Sequence, residues 1–326
     1  GVIFPQGRAM PAKQLASNVN FDEDFRLYAG GRYYNFSTQD FDTLFIKGHL
    51  TTPTGADSNE ITFFYNAPGV TTTDSLIGPV IDSLNNDIAG FDLNDAVVGE
   101  YTMRNELFAM PNTYTETGLN IRNNTFEYKF AVTDSVYSKC EYNVNAGEPV
   151  VNSYIALTAN EYEWGPLLYV RNSGHTAQQI ECVVMRDIIQ DSVFDGQAVT
   201  MRIYEWSDDD LSGSFNDPDE ITEIGFGEYF MTASDIVPIS GFPVKVPLIN
   251  SAVPGAAIHL KAGTFYWVAV SFNGLQTNSF GIGLDYFSDY SASNLDEQMV
   301  NLHGSPLHDV TGSQVFPGGF ANRGAP

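Results

Sequence analysis

Basic residues are scarce in this chain. Lysine and arginine together number 15 in 326 residues, against 40 aspartates and glutamates, for a formal net charge of −25. Such a surface repels phosphate backbones and anionic lipid headgroups, which excludes nucleic acid and membrane surfaces as leading partners. Long apolar runs are missing too. No stretch approaches the ~20 apolar residues that cross a bilayer as a helix, so membrane insertion is not expected. Cysteine is almost absent. The two present, Cys140 and Cys182, leave two readings open: a disulfide if the compartment is oxidising, or two separate buried thiols.

Catalytic signatures are missing as well. There is no Gly-x-Ser-x-Gly elbow and no His-Glu-x-x-His. The short runs GFG (225–227) and GIG (281–283) lack the further glycine and the following helix of a phosphate loop. The pair His303 and His308, in HGSPLH, reads as polar residues of a tail rather than as metal ligands. No apolar stripe of three helical turns occurs. The first 22 residues carry little alternation, and they open on GVIFPQGRAMP, without a starting methionine. This start is read either as that of a processed form whose signal segment has been removed or as that of one part of a longer chain.

What is present points to strands. Apolar residues reach 43% and aromatics 13%, enough for packed cores, which excludes a disordered chain. The length suits two domains. FRLYAGGRYYNF, DTLFIKGHLTT, NEITFFYN, GEYTMRNELF and NTFEYKFAVT are short runs with period-2 alternation, separated by turn chemistry such as TPTGADS and NAPG. A second set follows: YIALTA, GPLLYVRN, QQIECVVMRDI, AVTMRIYEW, FPVKVPLI, TFYWVAVSF and SFGIGLDYF. In AVTMRIYEW the alternation predicts Val199, Met201 and Ile203 on one face and Thr200, Arg202 and Tyr204 on the other. In TFYWVAV both faces are apolar, which predicts a central strand covered on both sides, with Trp267 inside. The expected fold class is all-β, with two β-sandwich domains and extended N- and C-terminal arms. The expected boundaries are an arm over 1–22, a sandwich over 23–137, a jelly-roll-like sandwich over 138–292 and a tail over 293–326.

The stretch EWSDDDLSGSFNDPDE, from Glu205 to Glu220, concentrates acid between two strands. It reads either as a solvated hairpin loop or as an irregular calcium site. Calcium takes about six to eight oxygens, and Asp208, Asp210, Asn216, Asp217 and Asp219 supply candidates. The spacing departs from the EF-hand rule. A pair of glycosidase carboxylates is a third reading, though nothing singles out one pair among 40 acids. Tyr162, Trp164, Tyr169, Tyr204 and Trp206 are candidate rings for a sugar platform, with core packing as the alternative.

The order of strands resembles surface and secreted proteins of Bacteroidota exported by the type IX route, which join an Ig-like module to a jelly roll. In the first module the likeness lies in HLTTPTGADSNEITFFYN, GEYTMRNELF and NIRNNTFEYKFAVTDSVYSK, which look like strands of a CARDB-type Ig domain. In the second it lies in VTMRIYEWSDDD, FPVKVPLI and LKAGTFYWVAVSF. The resemblance covers roughly residues 25–290. It implies a secreted or cell-surface location and O-glycans on Asp-Ser/Thr motifs, with Thr43, Ser75, Ser83, Ser135 and Ser192 as acceptors. The expected function is non-enzymatic, structural or adhesive. Copies would join through their arms into a filament or surface layer, using Val2, Ile3, Phe4, Arg8 and Lys13. Residues 1–20 hold no acid, so this arm suits an acidic neighbour. The alternative is a carbohydrate-binding module of a secreted polysaccharide-processing protein, with a glycan as partner.

Overall fold

A computed structural model describes residues 8–16, 26–27, 31–33, 41–67, 75–77, 91–110, 125–156, 162–186, 196, 198–207, 220–232, 241–272, 280–289, 307–309, 314–315 and 323–324. The fold is all-β, with one four-residue helix among the described residues. The chain divides into two compact units. The first comprises 1–5, 10–134 and 291–295; the second comprises 6–9, 135–290 and 296–326.

The first unit runs through β1 (Ala9–Pro11), α1 (Ala12–Leu15), β2 (Arg26–Leu27), β3 (Gly31–Tyr33), β4 (Phe41–Thr51), β5 (Asp57–Ala67), β6 (Ser75–Ile77), β7 (Phe91–Asp92), β8 (Gly99–Met110) and β9 (Thr125–Thr133). Its main sheet has the order β1-β9-β8-β4-β5, and β2 pairs β7 while β3 pairs β6. The TPTGADS stretch closes the β4–β5 hairpin, with the Thr52 N–H donating to the Ala56 carbonyl at 2.9 Å. The core gathers Leu50, Tyr101, Met103, Tyr128, Phe130 and Val132 from the sheet, with Leu27 and Phe91 from the β2–β7 pair. Alternation along β8 sends Tyr101 and Met103 inward, where Tyr101 stacks on Phe130 at 5.2 Å.

Residues 8–16 differ from the expected extended arm. Pro11, with φ −62° and ψ 137°, caps one helical turn, and Met10 and Leu15 are buried in the same core. The physical reason is that two large apolar side chains gain more from the core than the segment loses by ordering. Lys13 is exposed on the outer side of the turn.

The second unit runs through β10 (Tyr142–Asn143), β11 (Glu148–Pro149), β12 (Ser153–Ala156), β13 (Tyr162–Trp164), β14 (Leu167–Val170), β15 (His175–Ala177), β16 (Gln179–Arg186), β17 (Ala198–Trp206), β18 (Ile221–Phe230), β19 (Phe242–Pro247), β20 (Ile249–Asn250), β21 (Ile258–Leu260), β22 (Thr264–Phe272), β23 (Phe280–Asp289), β24 (Leu307–Asp309), β25 (Gln314–Val315) and β26 (Arg323–Gly324). One sheet has the order β12-β23-β16-β19, with β26 against β23. The other has the order β20-β18-β17-β22-β13-β24-β25, with β14 also against β22. The described parts of the C-terminal tail therefore add strands rather than stand apart as an arm.

The two sheets share one core. Cys182, Val184, Val244, Val246 and Ile282 meet Val199, Met201, Ile203, Tyr266 and Val270, so the unit is sandwich-like. Val199, Met201 and Ile203 occupy the inner face as the alternation predicts. β22 is covered on both sides, because its other face sends Trp267 and Ala269 into a second cluster with Leu167 and Trp206.

Between β13 and β14 the chain steps against β22 at Gly165. A Cβ there would collide with the carbonyl oxygen of Val268. The Val268 N–H already donates to Pro166 at 2.9 Å, and the Trp267 indole donates to the Gly165 carbonyl at 3.3 Å. Gly165→Ala is therefore expected to cost at least ~2 kcal/mol in chemical denaturation, since backbone on both strands would have to part. A loss below 0.5 kcal/mol would show that the step yields easily.

Candidate functional site

The residues singled out from sequence are scattered. Val2, Ile3, Phe4, Ser83 and Ser192 lie outside the described residues, as do Asp208, Asp210, Asn216, Asp217 and Asp219. The base of that acidic loop is described: the Ser207 N–H donates to the Glu220 carbonyl at 2.9 Å, and the Trp206 indole donates to the buried Glu220 carboxylate at 3.2 Å. Among the described residues no group of three or more His, Cys, Asp or Glu is placed to hold a metal ion. Thr43 lies on β4 and Ser75 on β6, whereas Ser135 is exposed in the connection after β9. Arg8 precedes β1, its N–H donating to the Ser138 carbonyl at 2.7 Å.

Cys140 and Cys182 are both buried as free thiols. Cys182 belongs to the core between the two sheets, opposite Val244. Cys140 sits outside that cluster, its N–H taken by the Ser138 hydroxyl at 3.1 Å. Burial pushes the Cys182 thiol far above its ordinary range, with Glu181 adding to the effect, so it is unreactive.

The sugar-platform candidates pack inward in part. Tyr204 stacks on Trp267 at 5.0 Å, and Trp206 is buried against Phe265. Tyr169 tilts on Phe265 at 4.7 Å.

One polar network in the second unit was not singled out from sequence. On the outer face of the larger sheet, Glu163 of β13 lies opposite Ser271 of β22, which lies opposite Thr200 of β17. Side chains opposite one another in a ladder share a face. Arg202 and Tyr204, two and four positions further along β17, therefore point the same way. Glu163 is 1% exposed. Its Oε1 accepts from Arg202 Nη1 and from Ser271 Oγ at 2.5 Å, and its Oε2 accepts from the Tyr204 hydroxyl at 2.5 Å. Arg202 Nη1 also donates to Ser271 Oγ at 2.9 Å, and its Nε lies 3.2 Å from Glu223 Oε2. Glu223 Oε1 then accepts from Ser251 Oγ at 2.7 Å. One guanidinium thus spans two carboxylates.

Burial works against the Arg202 charge, but Glu163 outweighs it and raises the guanidinium pKa above its ordinary value. Burial, then the Glu163 charge, pushes the Tyr204 phenol well up, so it remains a donor. The network links β13, β22, β17, β18 and the turn after β20. Glu163 accepts from three donors, two on Oε1 and one on Oε2, so this arrangement fastens strands together. The alternation on β17 did place Arg202 on the outer face. Its partner Glu163 lies 39 residues away, and no local pattern links the two.

Compared with models of known families the chain matches none, and no curated protein matches it.

Proposed function

We propose that this is an exported, non-enzymatic structural or adhesive subunit that assembles with copies of itself at or beyond the cell surface. Its first unit is read as an Ig-like sandwich and its second as a jelly roll. The single observation that carries the reading is the edge of the first unit's main sheet. β5 is eleven residues long and, among the described residues, pairs with β4 alone in that sheet. Its sequence, DSNEITFFYNA, holds no lysine and no proline, and its ladder with β4 shows no register shift. Proteins that stay monomeric blunt such edges with those devices, and a bare edge recruits another strand. The extreme N-terminus, with Val2, Ile3 and Phe4 and no acid, supplies a strand of suitable chemistry.

Deleting residues 1–7 tests this. The cut spares Met10 and Leu15, which belong to the core. Sedimentation velocity is expected to show the truncated chain folded, with association shifted to at least tenfold higher concentration. Identical sedimentation of full-length and truncated chains would overturn the role of the arm.

A further inference from the structure

Two of the rings expected in a sugar platform are packed away, Tyr204 on Trp267 and Trp206 on Phe265. The neighbouring strand of the same sheet offers others. β18 carries the run Gly225-Phe226-Gly227-Glu228-Tyr229-Phe230. Its alternation sends Gly225, Gly227 and Tyr229 inward, and Tyr229 packs against the core between the sheets. A Cβ on Gly225 would collide with the Ile258 side chain, and one on Gly227 with the Pro247 carbonyl oxygen. The two glycines of the GFG run thus let the strand lie close on the layer beneath, which holds its outer face in place. Phe226, Glu228 and Phe230 stand on that outer face. Phe226 is half-buried, Glu228 is exposed and Phe230 is 60% exposed.

The ladder with β17 sets polar groups beside these rings. Phe226 lies opposite Arg202, Glu228 opposite Thr200 and Phe230 opposite Ala198, and the register is unbroken from Ala198 to Ile203. Two-residue steps of about 7 Å put the two rings roughly 14 Å apart along the strand, with the carboxylate midway. The Thr200 hydroxyl donates to Glu228 Oε1 at 3.3 Å. Among the described residues Glu228 Oε2 accepts from no donor. The Arg202 side chain is 29% exposed, and its Nη1 and Nε are held by Glu163, Ser271 and Glu223. Its Nη2 donates to no described residue. The face therefore presents, in a fixed grid, a ring, an acceptor, a hydroxyl, a donor and a second ring.

We infer that this outer face of β17 and β18 binds a neutral polysaccharide, with Phe226 and Phe230 under its sugar rings and Thr200, Arg202 and Glu228 at their hydroxyls. A pyranose ring has a face of C–H groups, which carry partial positive charge and sit well on the negative face of an aromatic ring. Its rim is made of hydroxyls, each both donor and acceptor, which matches a site holding both kinds of group. The separation of the two rings suits an oligomer rather than a single sugar. Charge selects the kind of glycan. The one cation of the grid is already compensated by Glu163 and Glu223, and a body of charge −25 repels polyanions. A basic peptide is disfavoured because Glu228 alone remains to attract it, and because a peptide's main chain finds its partners at a strand edge, which a sheet face does not offer. This inference stands apart from self-assembly and holds for a single copy.

Affinity electrophoresis of the full chain tests it, with hydroxyethylcellulose, laminarin, galactomannan or soluble starch cast in the gel. At least one of these neutral polymers is expected to retard the protein, and added salt should leave the retardation unchanged. Phe230→Ala is expected to weaken that binding at least tenfold, and Glu228→Ala at least threefold, both with unchanged circular dichroism. Both side chains are exposed, so neither change should disturb the fold. Val253→Ala, which alters an exposed apolar residue elsewhere in the same unit, should bind as the wild type does. If none of the four polymers retards the chain, or if Phe230→Ala is retarded as strongly as the wild type, the inference is wrong. Alginate binding tighter than every neutral polymer would overturn the argument from charge. Retardation by polylysine alone, lost in Glu228→Ala and in salt, would overturn the inference in favour of a basic protein partner.

Discussion

Replacing Arg202 with leucine is expected to destabilise the second unit by about 3 kcal/mol, because it leaves a buried carboxylate without its cation. Glu163 is almost wholly enclosed, and the Tyr204 and Ser271 hydroxyls that would remain cannot neutralise its charge. Urea denaturation followed by tryptophan fluorescence measures the loss, since Trp206 and Trp267 lie in the adjoining cluster. Adding Glu163→Gln to the Arg202→Leu chain is expected to restore part of the stability by removing the stranded charge. Arg202→Lys should fall between, because one ammonium cannot reproduce the planar fork that spans Glu163 and Glu223. If Arg202→Leu costs less than 1 kcal/mol, the network contributes little to holding these strands.

The second large effect concerns Lys139, which is 1% exposed. Burial lowers its pKa from 10.5 to about 7. The sign of the pH dependence follows directly. Between pH 7 and 10.5 the unfolded chain holds a proton on this amine that the folded chain has released, so stability rises with pH across that window. From pH 7 to pH 9 the gain is expected to approach about 2 kcal/mol, at up to about 1.4 kcal/mol per pH unit. Below pH 7 both states are protonated and the full penalty stands. Above pH 10 the trend reverses, because burial raises the Tyr137 and Tyr204 phenols and their contribution is lost once unfolded tyrosine ionises. Lys139→Met is expected to be more stable than the wild type at pH 7 and to lack the rise to pH 9. Melting curves at pH 7, 8 and 9 measure both, and an equal slope in the two proteins would place the titration elsewhere.

Much of the strand pattern was legible because it is local. The alternation of Val199, Met201 and Ile203 needs nothing beyond their own neighbours to predict an inner face. The two apolar faces of β22 likewise announce a central strand, and Trp267 is buried there. The ends of β17 and β18, Trp206 and Ile221, flank the acidic loop where its composition changes. What was not legible depends on distant partners. Met10 and Leu15 look like parts of an extended arm until Tyr128 and Phe130 give them a core. Glu163 looks like one acid among many, and only the fold makes it the centre of a network. The thiol of Cys182 is decided by what surrounds β16, which a cysteine count does not contain.

The interleaving of strands in the second unit governs how it is made. β13 lies beside β22, joining Glu163 to Ser271 across 108 positions, and β12 waits in the same way for β23. The β17–β18 hairpin closes over a far shorter span. Chains whose contacts join distant positions fold slowly, because loop-closure entropy precedes any reward from pairing. As the chain emerges from a ribosome, its hairpin can form early while β12 and β13 remain without their ladders until the last third is synthesised. Glu163 therefore stays hydrated until Arg202 and Ser271 close over it together.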